Sequence, residues 1–351
     1  MKIGILTFHW GANHGAILQT YALSRYLQQQ GAEVEVIDYY PKNLELTFYN
    51  ALRAIRPGAV LRKCKELRKE KCLKDFRTRL PRSKRYYTNA ELQKADLPYD
   101  VLITGSDQIW NPSFLRYGEG KVTPVYFLNF GGDNVKKLSV SASFGCHSYP
   151  EECKALAAPL LREFDGISVR ENTGLDILAS MGIENACVTA DPTALLPGDA
   201  YRELCSAESD ANGVSTFILR KQTAETNALL HKICRAFTID KPVDIDLRSI
   251  PDWLAAIRDS RLVVTNSFHC VMMCLKLHTP FAVLLETGTM AGMNDRFVTL
   301  LAAMGLSDRI VYREEDIPNV AKEIDFSAVD AAMDRYAGTL REYLERNLDA
   351  E

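Results

Sequence analysis

Residues 2–39 read KIGILTFHWGANHGAILQTYALSRYLQQQGAEVEVIDY, and their order decides the fold. Residues 2–8 are strand-like, and 9–15 form a polar loop containing Gly11 and Gly15. Residues 16–30 have helical spacing and stop at Gly31, and 33–39 read as a second strand. Strand, helix and strand in succession make a βαβ unit, which requires a parallel sheet.

The same alternation continues outward. Further strands are expected at 101–104, 138–142, 166–169 and 187–190, with helices at 153–164 and 174–181 between them. A second series of strands is expected at 216–219, 243–246, 262–265 and 281–285. Pro, Gly, Asp and Ser cluster over 197–213, which places a boundary there. The expected fold class is α/β, with two Rossmann-like domains facing a cleft. The first is residues 1–200, carrying a basic helical insertion at 50–90, and the second is 201–326. Residues 327–351 form a C-terminal helix with the option of returning to the first domain.

Composition narrows the function classes. With 47% hydrophobic and 25% charged residues, the chain is an ordinary globular protein, long enough at 351 residues for two cores. Met1-Lys2 is followed at once by a strand-like run, so no secretory leader is expected, and no apolar run reaches membrane-spanning length. The nine cysteines form no CxxC pair, which suits reduced thiols and a cytoplasmic setting. The net charge of −3 hides an asymmetry: residues 53–85 hold fourteen Lys or Arg against Glu66, Glu70 and Asp75, an excess of eleven. The plainer reading is a solvated helical face. The functional one is a docking surface for anionic lipid headgroups, hence peripheral membrane contact, or for a diphosphate-linked acceptor. Nucleic acid is not expected as a partner, because the rest of the chain is acidic.

Residues 263–285, VVTNSFHCVMMCLKLHTPFAVLL, carry the strongest chemical signal. A short apolar strand is broken by Thr265, Asn266 and Ser267, and a helix apolar on nearly every face follows until Pro280. Either Asn266 or Ser267 serves as N-cap, which puts His269 in the first helical turn among unpaired backbone N–H groups. Free N–H groups and an imidazole at a strand-to-helix turn suit an anionic ligand. The competing reading is a histidine that hydrogen-bonds in the core. Cys270, Cys274 and His278 share one face of this helix, but in so apolar a setting they read as buried thiols and no metal site is expected.

Several segments, taken in order, resemble the polysaccharide pyruvyl transferase family. They are GILTFHWGANHGAILQTYAL from Gly4, VLITGSDQIWNP from Val101, SVSASFG from Ser139, ISVREN from Ile167, Asp191-Pro192-Thr193, TNSFH from Thr265 and NDRFVTLL from Asn294. The resemblance covers residues 2–312. It implies a glycosyltransferase-B-like arrangement of the two domains, the first on the acceptor side and the second on the donor side. It also implies transfer of a pyruvyl ketal from phosphoenolpyruvate to a sugar of a cell-surface glycan or its lipid-linked precursor, with no other cofactor.

Ketal formation needs the donor's carboxylate and phosphate held, its methylene carbon protonated, a sugar hydroxyl deprotonated and phosphate released. Arg170, at a strand end, is the first candidate for a donor clamp, because a guanidinium fork binds oxyanions bidentately; a salt bridge with Glu171 or Asp176 is the plainer alternative. Arg296 is the second. His269 is the candidate proton donor or phosphate ligand. The helix dipole disfavours imidazolium and a bound dianion favours it, so protonation is expected to follow donor binding. Some family members carry an arginine where this chain has Ser267, leaving the Ser267 hydroxyl, Asn266 and the turn N–H groups for the donor oxygens. Asp107 is the candidate base for the acceptor hydroxyl, with Gln108 and Trp110 available as sugar contacts and Ser106 beside it; a turn or N-cap role is the alternative. His9, Asn13, His14 and Gly15 complete the expected acceptor or phosphate contacts.

Two other functions compete. A nucleotide-sugar glycosyltransferase would use an acidic residue such as Glu286 for the donor ribose, and a non-catalytic glycan- or lipid-binding protein would keep the fold alone. The spacing of Gly11 and Gly15 is not GxGxxG, which argues against NAD.

Overall fold

The structure is a computed structural model that describes residues 1–41, 57–116, 122–132, 134–219, 223–239, 241–285 and 294–348. The chain forms two compact units. Unit 1 comprises Met1–Glu70, Lys74–Leu195 and Tyr336–Glu351; unit 2 comprises Lys71–Leu73 and Leu196–Arg335.

Unit 1 is built on seven strands: β1 Lys2–Leu6, β2 Glu33–Tyr39, β3 Arg82–Tyr86, β4 Val101–Thr104, β5 Lys136–Ala142, β6 Gly166–Val169 and β7 Ala186–Val188. All neighbours are parallel, in the order β3-β2-β1-β4-β5-β6-β7. The order reverses between β1 and β4, and a doubly wound sheet opens its ligand crevice at the carboxyl ends of the strands there. Unit 2 carries β8 Val214–Phe217, β9 Val243–Asp244, β10 Leu262–Thr265 and β11 Phe281–Val283, also parallel, in the order β11-β10-β8-β9. Its reversal falls between β8 and β10.

The cores follow the burial of these strands. β1, β4 and β5 are buried along nearly their whole lengths, as a sheet covered on both faces requires. Trp110, Phe127 and Phe144 form the aromatic centre of unit 1, with Trp110 stacked on Phe127 at 5.6 Å and 12°. Val214, Ile233, Leu262, Val264 and Ala282 anchor a separate core in unit 2.

Three expectations need correction. The basic region is not wholly helical. Pro57–Lys74 is a helix, but Arg82–Tyr86 is β3, an edge strand paired with β2. Only Tyr86 of its five residues is buried, so the apolar alternation that announces a strand is missing, and its arginines pair with Asp38 of β2 instead. Charge on an edge strand also discourages pairing with other chains. The first helix starts at His14, capped by Asn13, and not at residue 16. Trp110 is fully buried and donates from Nε1 to the Tyr126 carbonyl at 3.0 Å, so it is a core residue and not a sugar contact. Residues 53–56 of the basic segment and Glu286 lie outside the described residues.

Candidate functional site

In unit 1 the residues singled out from sequence gather at the strand ends beside the reversal. Thr7, just past β1, donates its hydroxyl to the Ser106 carbonyl just past β4 at 2.7 Å, and it accepts from Gln19 at 3.0 Å. A Cβ on Gly105 would lie 2.9 Å from the Thr7 Cβ, so glycine is what lets the two loops approach. Asp107 follows with φ +83°, a left-handed conformation that Asp tolerates better than most residues. Its Oδ1 accepts from the Gln108 N–H at 2.8 Å, and its carbonyl accepts from Ser143 at 3.0 Å. The N-cap of the next short helix, Pro112–Leu115, is Asn111. Gln108 is buried, and its Oε1 accepts from the Asn111 amide at 2.8 Å.

Beneath Asp107 lies a fully buried charge network. Arg170 donates from Nη1 to Asp191 Oδ2 at 2.8 Å, and its Nε is 4.0 Å from Glu171. Ser106 donates to the same Asp191 oxygen at 2.9 Å, while Asp191 Oδ1 accepts from the Thr193 N–H at 3.0 Å and hydroxyl at 2.7 Å. Glu171 accepts from the Ser143 hydroxyl at 2.8 Å and the Phe144 N–H at 2.9 Å. Burial opposes the charge on Arg170, but Asp191, Glu171 and Asp107 outweigh it and raise its pKa. The expected salt bridge of Arg170 therefore exists, but its close partner is Asp191 and it is buried.

The first loop places its residues differently from one another. His9 is buried with Nδ1 3.0 Å from the Thr7 carbonyl and Nε2 3.0 Å from Asp38 Oδ1. Asn13 is spent as a cap, accepting from Gly15 N at 3.0 Å and Ala16 N at 3.3 Å. His14 and Gly15 are buried in the first helical turn rather than lining the loop, because the helix begins earlier than its apolar spacing suggests.

In unit 2 the TNSFH turn lies at the reversal between β8 and β10. Thr265 donates its hydroxyl to the Phe217 carbonyl at 2.6 Å, and Asn266 Oδ1 accepts from Leu219 N at 2.8 Å, so the turn ties the two strand ends together. Ser267 occupies the N-cap position with its side chain uncommitted to capping, and the helix Phe268–Leu277 is buried at every residue. His269 stands in the first turn, its ring perpendicular to Phe268 at 5.5 Å. Arg296, in the first turn of Asp295–Ala303, has its guanidinium carbon 5.7 Å from the Phe268 ring centroid and 5.5 Å from that of Phe297. A cation at a helix start opposes the macrodipole by about 0.3–1 kcal/mol, so Arg296 does not sit there for the helix. Phe268 thus touches both His269 and Arg296. On the same helix Cys270 and Cys274 are buried, and burial holds the Cys274 thiol well above its usual pKa; His278 leaves that face, stacked on Phe326 and bonded to Asp330.

Sequence reasoning missed Asp191 as the partner of Arg170. It is an isolated acid in Asp-Pro-Thr, and only the sheet order brings β7 beside β6. Tyr40 also went unnoticed, although it follows β2 as His9 follows β1.

A family model described as polysaccharide pyruvyl transferase matches residues 13–286. No curated protein matches significantly. Among solved structures, the spinosyn rhamnosyltransferase SpnG complexed with thymidine diphosphate aligns over 100% of both chains at 15% identity, with a TM-score of 0.44. Arabidopsis thaliana UGT89C1 complexed with UDP-L-rhamnose aligns over 98% of this chain and 97% of its own at 13% identity, TM-score 0.48. A glycosyltransferase from Streptomyces sp. SF2575 aligns over 97% and 96% at 13% identity, TM-score 0.40.

Proposed function

The chain belongs to the polysaccharide pyruvyl transferase family, and from that premise we propose that it moves the pyruvyl group of phosphoenolpyruvate onto two hydroxyls of one sugar. The acceptor is a cell-surface glycan or its lipid-linked precursor, met in the cytoplasm at the inner membrane face. No helix among the described residues is long and apolar enough to cross a membrane; the contact proposed here is peripheral.

The observation that carries the reading is that His269 and Arg296 both pack on Phe268, just past the strand reversal of unit 2. Helix-start N–H groups and an imidazole lie where β10 ends, with a guanidinium against the neighbouring Phe268 ring, a combination suited to a small molecule bearing phosphate and carboxylate. His269 delivers the proton that turns the donor methylene into a methyl group, leaving positive charge on C2. The first sugar hydroxyl bonds to C2 as Asp107 accepts its proton. The C–O bond to phosphate then breaks, the second hydroxyl bonds to the same carbon in its place, and its proton passes to the departing inorganic phosphate. Ser267 and Asn266 complete the donor turn. Arg170 acts through Asp191 and Ser106 as a positioning residue for the loop that carries Asp107.

Thermal unfolding with phosphoenolpyruvate, a UDP-sugar and NAD added separately tests the donor. A ligand at a hundred times its Kd stabilises by about 2.7 kcal/mol. Phosphoenolpyruvate alone is expected to raise Tm, and His269→Ala is expected to lose at least a hundredfold in turnover, the usual scale of acid–base catalysis, while keeping its unliganded Tm. A shift with the UDP-sugar instead, or unchanged turnover in a folded His269→Ala, overturns the proposal.

A further inference from the structure

At the carboxyl ends of β1 and β2, beside β3, unit 1 holds a cavity of about 430 Å³. Its charge is lopsided. Lys74, Arg77, Arg82 and Arg85 line it against only two carboxylates, Asp38 and Glu70. Asp38 is shared by His9 at 3.0 Å, Arg85 at 3.1 Å and Arg82 at 3.7 Å, so a single carboxylate answers two guanidiniums and an imidazole. Glu70 is gripped by both Nη atoms of Arg77. The excess of two positive charges is what a dianion balances, and a phosphate monoester carries about −1.5 to −2 at neutral pH.

The other wall is aromatic. Trp10 and Tyr40 line the cavity with ring centroids 5.4 Å apart and planes inclined at 41°, and the Arg85 guanidinium carbon lies 4.8 Å from the Tyr40 centroid. Aromatic faces beside guanidiniums offer an apolar platform next to oxyanion donors, which matches a sugar ring carrying a phosphate. The platform is held in place. Arg77 donates from Nη2 to the Gly11 carbonyl at 2.6 Å, pinning the loop that carries Trp10 to the segment that carries the cations.

We propose that this cavity binds the phosphorylated end of the saccharide acceptor, with Arg82, Arg85 and Lys74 on the phosphate and Trp10 and Tyr40 against the sugar. The assignment rests on unit 1 being the acceptor side of the proposed transferase. It gives part of the strongly basic stretch a defined pocket in place of a diffuse surface.

Binding of glucose 1-phosphate, glucose, inorganic phosphate and phosphatidylglycerol vesicles to the full chain, measured by calorimetry without phosphoenolpyruvate, tests it. Glucose 1-phosphate is expected to bind at least tenfold more tightly than glucose or inorganic phosphate. The double variant Arg82→Gln/Arg85→Gln, and separately Lys74→Glu at the exposed rim, should each weaken it at least tenfold. Trp10→Ala should erase the margin over inorganic phosphate, and Trp10→Phe should restore part of it. Equal affinity for inorganic phosphate in the parent protein would make this an anion site only and overturn the proposal. So would vesicle binding without sugar-phosphate binding, or insensitivity to all the charge variants. Displacement of glucose 1-phosphate by phosphoenolpyruvate would make the cavity the donor site, overturning it too. Sugar-phosphate binding with no pyruvyl transfer to any glycan would leave the cavity assignment standing and remove the transferase reading.

Discussion

Arg170 shows how one residue can look catalytic in sequence and structural in space. An arginine at a strand end is an anion clamp by type, but this one is inside the protein with Asp191 at 2.8 Å. Removing one partner of a buried pair strands the other charge, at a cost of about 3–5 kcal/mol. Arg170→Met should therefore lower unfolding free energy by that order in a urea titration, and Arg170→Met/Asp191→Leu should recover much of the loss. Asp38 gives a second test. Burial raises its pKa, but the hydrogen bond and charge of His9, then Arg85, outweigh that and hold it below the usual carboxylate value. Its stabilising contribution is complete above the unfolded carboxyl pKa of about 3.9 and is lost as pH falls through the lower folded value. Asp38→Asn should be less stable by about 1.5–3 kcal/mol at pH 7, with the gap to the parent protein closing below about pH 4, followed by melts at stepped pH. Residue types were legible in the sequence, and directions were not. Nothing in GSDQIW says that Gln108 and Trp110 turn into the core while Asp107 adopts a positive φ.

At the scale of elements, strands read best where both faces are covered. Val101–Thr104 and Leu262–Thr265 have the bounds their apolar runs predict, because a fully buried strand advertises itself residue by residue. β3 was illegible for the opposite reason, since its stability comes from pairing and from Asp38 rather than from apolar burial. The helix Phe268–Leu277 was legible as an enclosed helix, and the helices Gly198–Arg202 and Ile250–Asp259 pack against it. The first of these approaches so closely that a Cβ on Gly198 would lie 2.4 Å from the Lys276 carbonyl oxygen. Backbone cannot swing aside as a side chain can. Gly198→Ala should cost about 1–3 kcal/mol, the usual range for overpacking, read as a lower denaturant midpoint at unchanged m-value.

For the whole molecule, alternating strands and helices announced two parallel sheets, but not the strand orders. Which strands neighbour each other depends on where each crossover helix lands, and that is decided by packing across the sheet. The two units have separate cores, with Trp10 and Trp110 in unit 1 and Trp253 in unit 2. Separate cores favour separate transitions. Trp253→Phe and Trp10→Phe/Trp110→Phe should give fluorescence unfolding curves with different midpoints in urea, whereas coincident curves would mean that the units unfold as one.

The path of the chain through these units also sets a schedule for synthesis. Unit 1 is interrupted at Leu195 and resumes only at Tyr336, within the helix Phe326–Leu348. The returning part is integral to the first sheet: Thr339 accepts from the Ala190 N–H at 3.0 Å, and a Cβ on Gly166 would strike the side chains of Tyr343 and Asn347. A ribosome adding about 5–20 residues per second takes about 7–28 s to traverse the intervening 140 residues. For that interval the first sheet exists with its last helix unwritten, and the nascent chain holds an open seam along β6 and β7 that only the final residues close.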